Sequence, residues 1–117
     1  MSTNNAPRVT LLGLEKVIAS EHYFTAQQGA RQAFMDSVAG DSERAPEEHY
    51  PFTPELGLLT FCVLVLENGF TVTGESACVS PENFDPMVGR QIAREKAVDK
   101  VWPLLGYELK TQLAAER

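Results

Sequence analysis

Leu58-Leu59-Thr60-Phe61-Cys62-Val63-Leu64-Val65-Leu66, then Glu67-Asn68-Gly69, then Phe70-Thr71-Val72-Thr73-Gly74-Glu75-Ser76-Ala77-Cys78-Val79 decides the architecture of this chain. The first run is too short for a lone helix and rich in strand formers, and Asn-Gly directly after it is the signal for a tight reversal. A β-hairpin follows. Read as a two-residue type I′ turn, Asn68-Gly69 sets Glu67 opposite Phe70, Cys62 opposite Glu75 and Cys78 opposite Leu59. In that register one face carries Leu59, Phe61, Val63, Val65, Phe70, Val72, Gly74 and Cys78, and is the expected core. The other carries Cys62, Leu64, Leu66, Thr71, Thr73, Glu75 and Ala77. Its half-apolar character implies cover by another segment or by a second copy of the chain, so self-association is expected.

Downstream, Ser80-Pro81-Glu82-Asn83-Phe84-Asp85-Pro86 leads into a long helix. Asp85 can accept bonds from free amides at the helix start, and proline fits the first turn without losing a needed donor. The helix is predicted over residues 86–102, with Pro103 bending it and Gly106 breaking it before a closing turn or two. Gly89, Ala93, Ala97, Val101 and Leu104 form a strip of small side chains widening toward its end, and Gly74 offers a matching gap in the sheet. A second strip, Val98, Trp102 and Leu105, needs cover, for which a first helix is the natural candidate.

That first helix is read upstream, where Thr10 caps a segment with Leu11, Leu14, Val17 and Ile18 at helical spacing. Residues 20–25 form an aromatic exit from it, and residues 26–38 a second helix. The fold class is α+β: an antiparallel hairpin, open to extension by a further strand or a second subunit, packed against a long C-terminal helix and N-terminal helices. One domain spans residues 1–117, with a flexible start at 1–9 and an acidic loop at 39–54, where Gly40, Pro46, Pro51 and Pro54 resist regular structure.

Composition narrows function by exclusion. At 117 residues and 44% hydrophobic content the chain can build one core without metal or disulfide. Sixteen acidic against ten basic residues give a net charge of −6, which disfavours direct nucleic-acid binding. No membrane span or leader pattern is present in the sequence, so the expected location is the cytosol. Cys62 and Cys78, read onto opposite sheet faces, are expected to be reduced. His22 and His49 lack metal-ligand spacing, and neither a metal nor a cofactor is expected.

The blocks Glu67-Asn-Gly-Phe-Thr-Val-Thr-Gly-Glu-Ser-Ala-Cys-Val79, Asn83-Phe-Asp85, Gly89-Arg-Gln-Ile-Ala-Arg-Glu-Lys-Ala97 and Val101-Trp-Pro-Leu-Leu-Gly-Tyr-Glu-Leu109 resemble a small tailed-phage protein family typified by gene 49 of coliphage N-four and gene 66 of a Shigella phage. A weaker echo lies in residues 17–29. The resemblance implies a phage or prophage origin and brings no catalytic residues with it.

The polar residues worth testing as a site gather where the second strand meets the long helix. Glu75, Ser76, Asn83, Arg90 and Arg94 are candidate ligand-binding residues, Arg90 and Arg94 lying one helical turn apart as a phosphate or carboxylate clamp. Asp41, Glu43, Glu47 and Glu48 are candidate partner-binding residues. Three readings stay open, in order: an accessory protein that binds and blocks a host protein complex; an oligomeric sponge for a nucleotide immune signal; and a small enzyme with Glu75 and Asp85 as acid and base.

Overall fold

The computed structural model describes residues 6–39 and 50–116. The acidic candidates Asp41, Glu43, Glu47 and Glu48 therefore lie outside the described residues, as does most of the 1–9 start. Helix α1 is Leu11–Val17, strand β1 Ile18–Thr25, helix α2 Ala26–Ser37, strand β2 Leu59–Leu66, strand β3 Thr71–Ala77 and helix α3 Pro86–Ala115. Short 3-10 turns, Pro54–Leu58 and Pro81–Asn83, precede β2 and α3. The sheet is antiparallel in the order β1-β2-β3, with α3 across one face. The α+β architecture is as the sequence implies, and the further strand is supplied from within the chain.

The hairpin register differs from the sequence reading by one residue. Leu66, not Glu67, faces Phe70: the Leu66 amide donates to the Phe70 carbonyl at 2.8 Å, and the Gly69 amide to the Leu66 carbonyl at 2.8 Å. The loop is thus three residues, Glu67-Asn68-Gly69, with Gly69 alone at positive φ (87°). A type I′ turn requires positive φ at Asn68 as well. Asn68 instead uses its side-chain oxygen to accept from the Phe70 amide at 3.0 Å, which holds it in an ordinary turn conformation and leaves the left-handed position to glycine.

A one-residue slip turns a strand over. Cys62 pairs with Gly74, Leu64 with Val72 and Thr60 with Ser76, so Thr60, Cys62, Leu64 and Leu66 face α3 and are buried. Leu59, Phe61, Val63 and Val65, expected in the core, lie on the outer face. For β3 the expected inward residues Val72 and Gly74 are inward. Both cysteines are free. The reason is not opposite faces: Cys78 lies four residues beyond Gly74, the partner of Cys62, about 13 Å along the strand direction.

The core consists of Leu14, Cys62, Leu64, Leu66, Val72, Ala93, Ala97 and Val101, edged by Val17, Ile18, Tyr23, Val98, Trp102 and Leu105. Its tightest point is Gly74. A β-carbon there would collide with the Ala93 carbonyl oxygen and the Ala97 nitrogen, so the α3 backbone rests on the strand itself. Asp85 caps α3, accepting from the Met87 amide at 3.0 Å. The helix does not stop near Trp102: it runs unbroken for 30 residues, about 45 Å, through Pro103 and Gly106. Proline costs one helical bond there, which the exposed position tolerates.

Thr10 caps α1, its hydroxyl oxygen accepting from the Gly13 amide at 3.0 Å, and α1 ends at Val17 because Ile18 is extended. The stretch read as an aromatic exit is β1. Its residues Glu21, Tyr23 and Thr25 pair with Leu64, Cys62 and Thr60 and so face α3, while His22 and Phe24 face outward. Thr25 then closes a capping box with Gln28 that starts α2. Phe24 and Phe61 stack at 5.7 Å on the outer face, and α2 lies against that end, a β-carbon at Gly29 falling 3.6 Å from the Phe24 ring.

Candidate functional site

The two arginines proposed as a clamp have separate surroundings. Arg94 Nε and Nη2 donate to the two Glu21 carboxylate oxygens at 3.0 Å each, and Nη2 also reaches Glu15 at 2.9 Å. Glu21 in addition accepts from the Tyr23 hydroxyl at 2.7 Å. This cluster joins α1, β1 and α3. The Arg94 hydrogen bonds hold the Glu21 carboxyl below its usual range; reciprocally, the carboxylates raise Arg94 further, and burial, with the Glu21 bond, raises the Tyr23 phenol. Arg94 is thus held by two carboxylates of its own chain, with its side chain still partly exposed.

Arg90, one turn earlier, has no ion pair among the described residues. It stands at a cleft of about 250 Å³ between the ends of β1 and α3, with Tyr23, Thr25, Gln28, Thr60 and Phe84. Thr60 is 3% exposed and its hydroxyl has no hydrogen-bond partner among the described residues. That oxygen lies 3.0 Å from where a β-carbon on Gly89 would sit. Arg90 is visible in the sequence as a candidate, whereas the β1 and α2 residues around it are not, because residues 20–25 lack the hydrophobic-in alternation that announces a strand.

At the strand-to-helix junction, Ser76, Asn83 and Asp85 share a depression of about 200 Å³ with Cys78, Val88 and Gly89. Glu75 is not there. Strand alternation puts it on the outer face opposite Phe61, exposed, while Ser76 points inward and is 8% exposed. Asn83 donates to the Ser80 hydroxyl at 3.1 Å, and Asp85 is committed to its cap. Glu75, on the outer face, and Asp85, at the α3 cap, are therefore not brought together. Among the described residues no group of His, Cys, Asp or Glu is placed to hold a metal ion, and His22 bonds to Ser20 at 2.9 Å. Cys62 is buried, which pushes its thiol pKa up and away from nucleophilic use. No described helix is long and apolar enough to cross a membrane.

No curated protein and no solved structure matches the chain. Residues 9–113, which include all three strands and almost all of α3, match the Phage protein (N4 Gp49/phage Sf6 gene 66) family, and the chain belongs to that family.

Proposed function

We propose that this is a phage accessory protein that works by binding and blocking a host protein complex in host takeover or anti-defence, with the outer sheet face as its contact surface. The observation that carries this reading is the outer face of the central strand: Phe61, Val63 and Val65 are only partly buried, and α2 reaches the Phe24–Phe61 end alone. An apolar strip bordered by Thr71, Thr73 and Glu75 fits a protein interface with a polar rim. The acidic segment with Asp41, Glu43, Glu47 and Glu48 belongs to the same proposal as a contact for a basic partner. The test is affinity capture from host lysate with the wild type and with Val63→Glu, whose side chain is on that face. A host protein retained by the wild type and released by the variant supports the reading; equal recovery by both sinks it.

A second reading is favoured by the Arg90 cleft, where a guanidinium and a hydroxyl that have no partner among the described residues adjoin three aromatic rings, Tyr23, Phe24 and Phe84. It would take a small anion carrying a ring, such as the nucleotide signal of an immune response. Native mass spectrometry of protein from infected cells decides it: bound nucleotide lost in Arg90→Ala supports it, and the bare protein mass counts against it.

A further inference from the structure

β3 is an edge strand with a defined set of free backbone groups. The Leu66 amide bonds the Phe70 carbonyl and the Cys78 amide bonds the Leu58 carbonyl, at 2.8 and 2.9 Å. Hydrogen-bonded pairs alternate along an antiparallel ladder, so Val72, Gly74 and Ser76 turn their backbone groups toward β2. Thr71, Thr73, Glu75 and Ala77 then turn theirs outward, and no described residue meets them. The strand carries one charge, no proline and no bulge. The opposite edge is different: β1 has an irregularity between Ile18 and Ser20 and carries Glu21 and His22, devices that blunt an edge.

The protein also exposes more surface than its mass requires. A 12.9 kDa monomer is expected to expose about 6,300 Å², whereas this chain exposes 8401 Å². Part of this surface lies beside the open edge: Val88 and Ile92 on α3 are 48% and 36% exposed and flank Ala77 and Cys78.

The geometry points to a homodimer formed by antiparallel pairing of β3 with β3 of a second copy, joining two three-stranded sheets into one of six strands. Full overlap of Thr71–Ala77 puts Gly74, the middle residue, on the two-fold axis. Thr73 of one copy then bonds Glu75 of the other, and Thr71 bonds Ala77, so every outward group on the strand finds a partner. Within the paired strands like charges do not meet, because Glu75 faces Thr73. The α3 helices then lie over one face of the joined sheet, Ala93 and Ala97 nearest the axis through Gly74, with Val88 and Ile92 toward the Ala77 end, beside the Thr71 end of the other copy's strand. The outer face stays open in this assembly, so the dimer stands or falls independently of the host-binding reading.

The experiment combines mass and amide exchange on the full chain. Sedimentation at micromolar concentration should give about 25.8 kDa, twice 12.9 kDa. Hydrogen exchange by NMR should show the Thr73 and Glu75 amides protected at least about a hundredfold over the turn amides. Thr73→Pro removes only an outward donor, so it should yield a folded protein of monomer mass; Thr73→Lys serves if that variant misfolds. A wild-type monomer overturns the inference, as does a dimer whose Thr73 and Glu75 amides exchange freely, or a folded Thr73→Pro of unchanged mass. Protection of those amides only when a host protein is added assigns the edge to that protein and also overturns it.

Discussion

Gly74→Ala is the substitution that most directly tests how α3 is seated. The added methyl would overlap the Ala93 carbonyl oxygen and the Ala97 nitrogen and come within 3.0 Å of the Lys96 carbonyl carbon. All three are backbone atoms, so no side chain can swing away; ordinary contact needs about 3.5 Å, and α3 has to retreat by about 1 Å. A gap of that size forfeits a quarter to a half of each contact it opens, and Ala93, Ala97 and Val101 are all fully buried along that seam. Overpacking typically costs about 1–3 kcal/mol, and the rigid neighbours place this case at the upper end. Alanine's smaller unfolded-state entropy returns about 0.4–1 kcal/mol. A net loss of about 2–2.5 kcal/mol follows, near 10 °C in Tm for a chain of this size. Urea unfolding at one fixed protein concentration measures it, with Gly106→Ala as control: nothing lies within 4 Å of a β-carbon there, and a helical Gly→Ala should gain about 0.5–1 kcal/mol. A Gly74→Ala midpoint within about 0.5 kcal/mol of wild type would refute the close seating of the helix.

Pro103→Ala restores the amide that the interior of α3 lacks, so it should stabilise the protein by about 1–3 kcal/mol; a lower urea midpoint contradicts an unbroken helix at that point. Arg94→Leu leaves Glu15 and Glu21 facing each other without a cation and should cost about 1 kcal/mol at pH 7, a modest figure because the three side chains are 29–44% exposed. The folded Glu21 carboxyl lies below its unfolded value of 4.5, so its contribution is present above that pH and fades as pH falls through the lowered folded value. The gap between wild type and Arg94→Leu should therefore narrow below about pH 4.5 in thermal melts; a gap that is flat from pH 7 to 3 rules the ion cluster out as its source.

The hairpin and the long helix were legible because each rests on local chemistry. Asn68-Gly69 demands a reversal, and Asp85-Pro86 starts a helix whatever surrounds it. Register was not legible, because Asn68 can serve either a two-residue or a three-residue loop, and the choice depends on one bond from the Phe70 amide to its side chain. Hydrophobic pattern could not arbitrate: β2 is apolar on both faces, Phe61, Val63 and Val65 against Cys62, Leu64 and Leu66. The glycine notch survived the slip because β3 alternates clearly, with Val72 and Gly74 between Thr71, Thr73 and Glu75. Pro103 misled for a related reason: its helix-breaking cost is small beside the cost of unseating Val101 and Trp102 next to it.

The candidate site was harder to read, since it depends on a strand whose inward residues are polar. β1 turns Glu21, Tyr23 and Thr25 toward α3, an alternation opposite to the hydrophobic-in pattern that marks a half-buried strand. Glu21 is tolerated there because Arg94 meets it with two parallel bonds, and Arg94 is available because it sits one residue after Ala93 on the seam that Gly74 fixes. The same placement that spends Arg94 leaves Arg90, four residues back, beyond the reach of Glu15 and Glu21. Two arginines that look equivalent at helical spacing therefore differ: one completes a structural cluster, and the other, without an ion pair among the described residues, stands in the cleft beside Thr60 and Phe84.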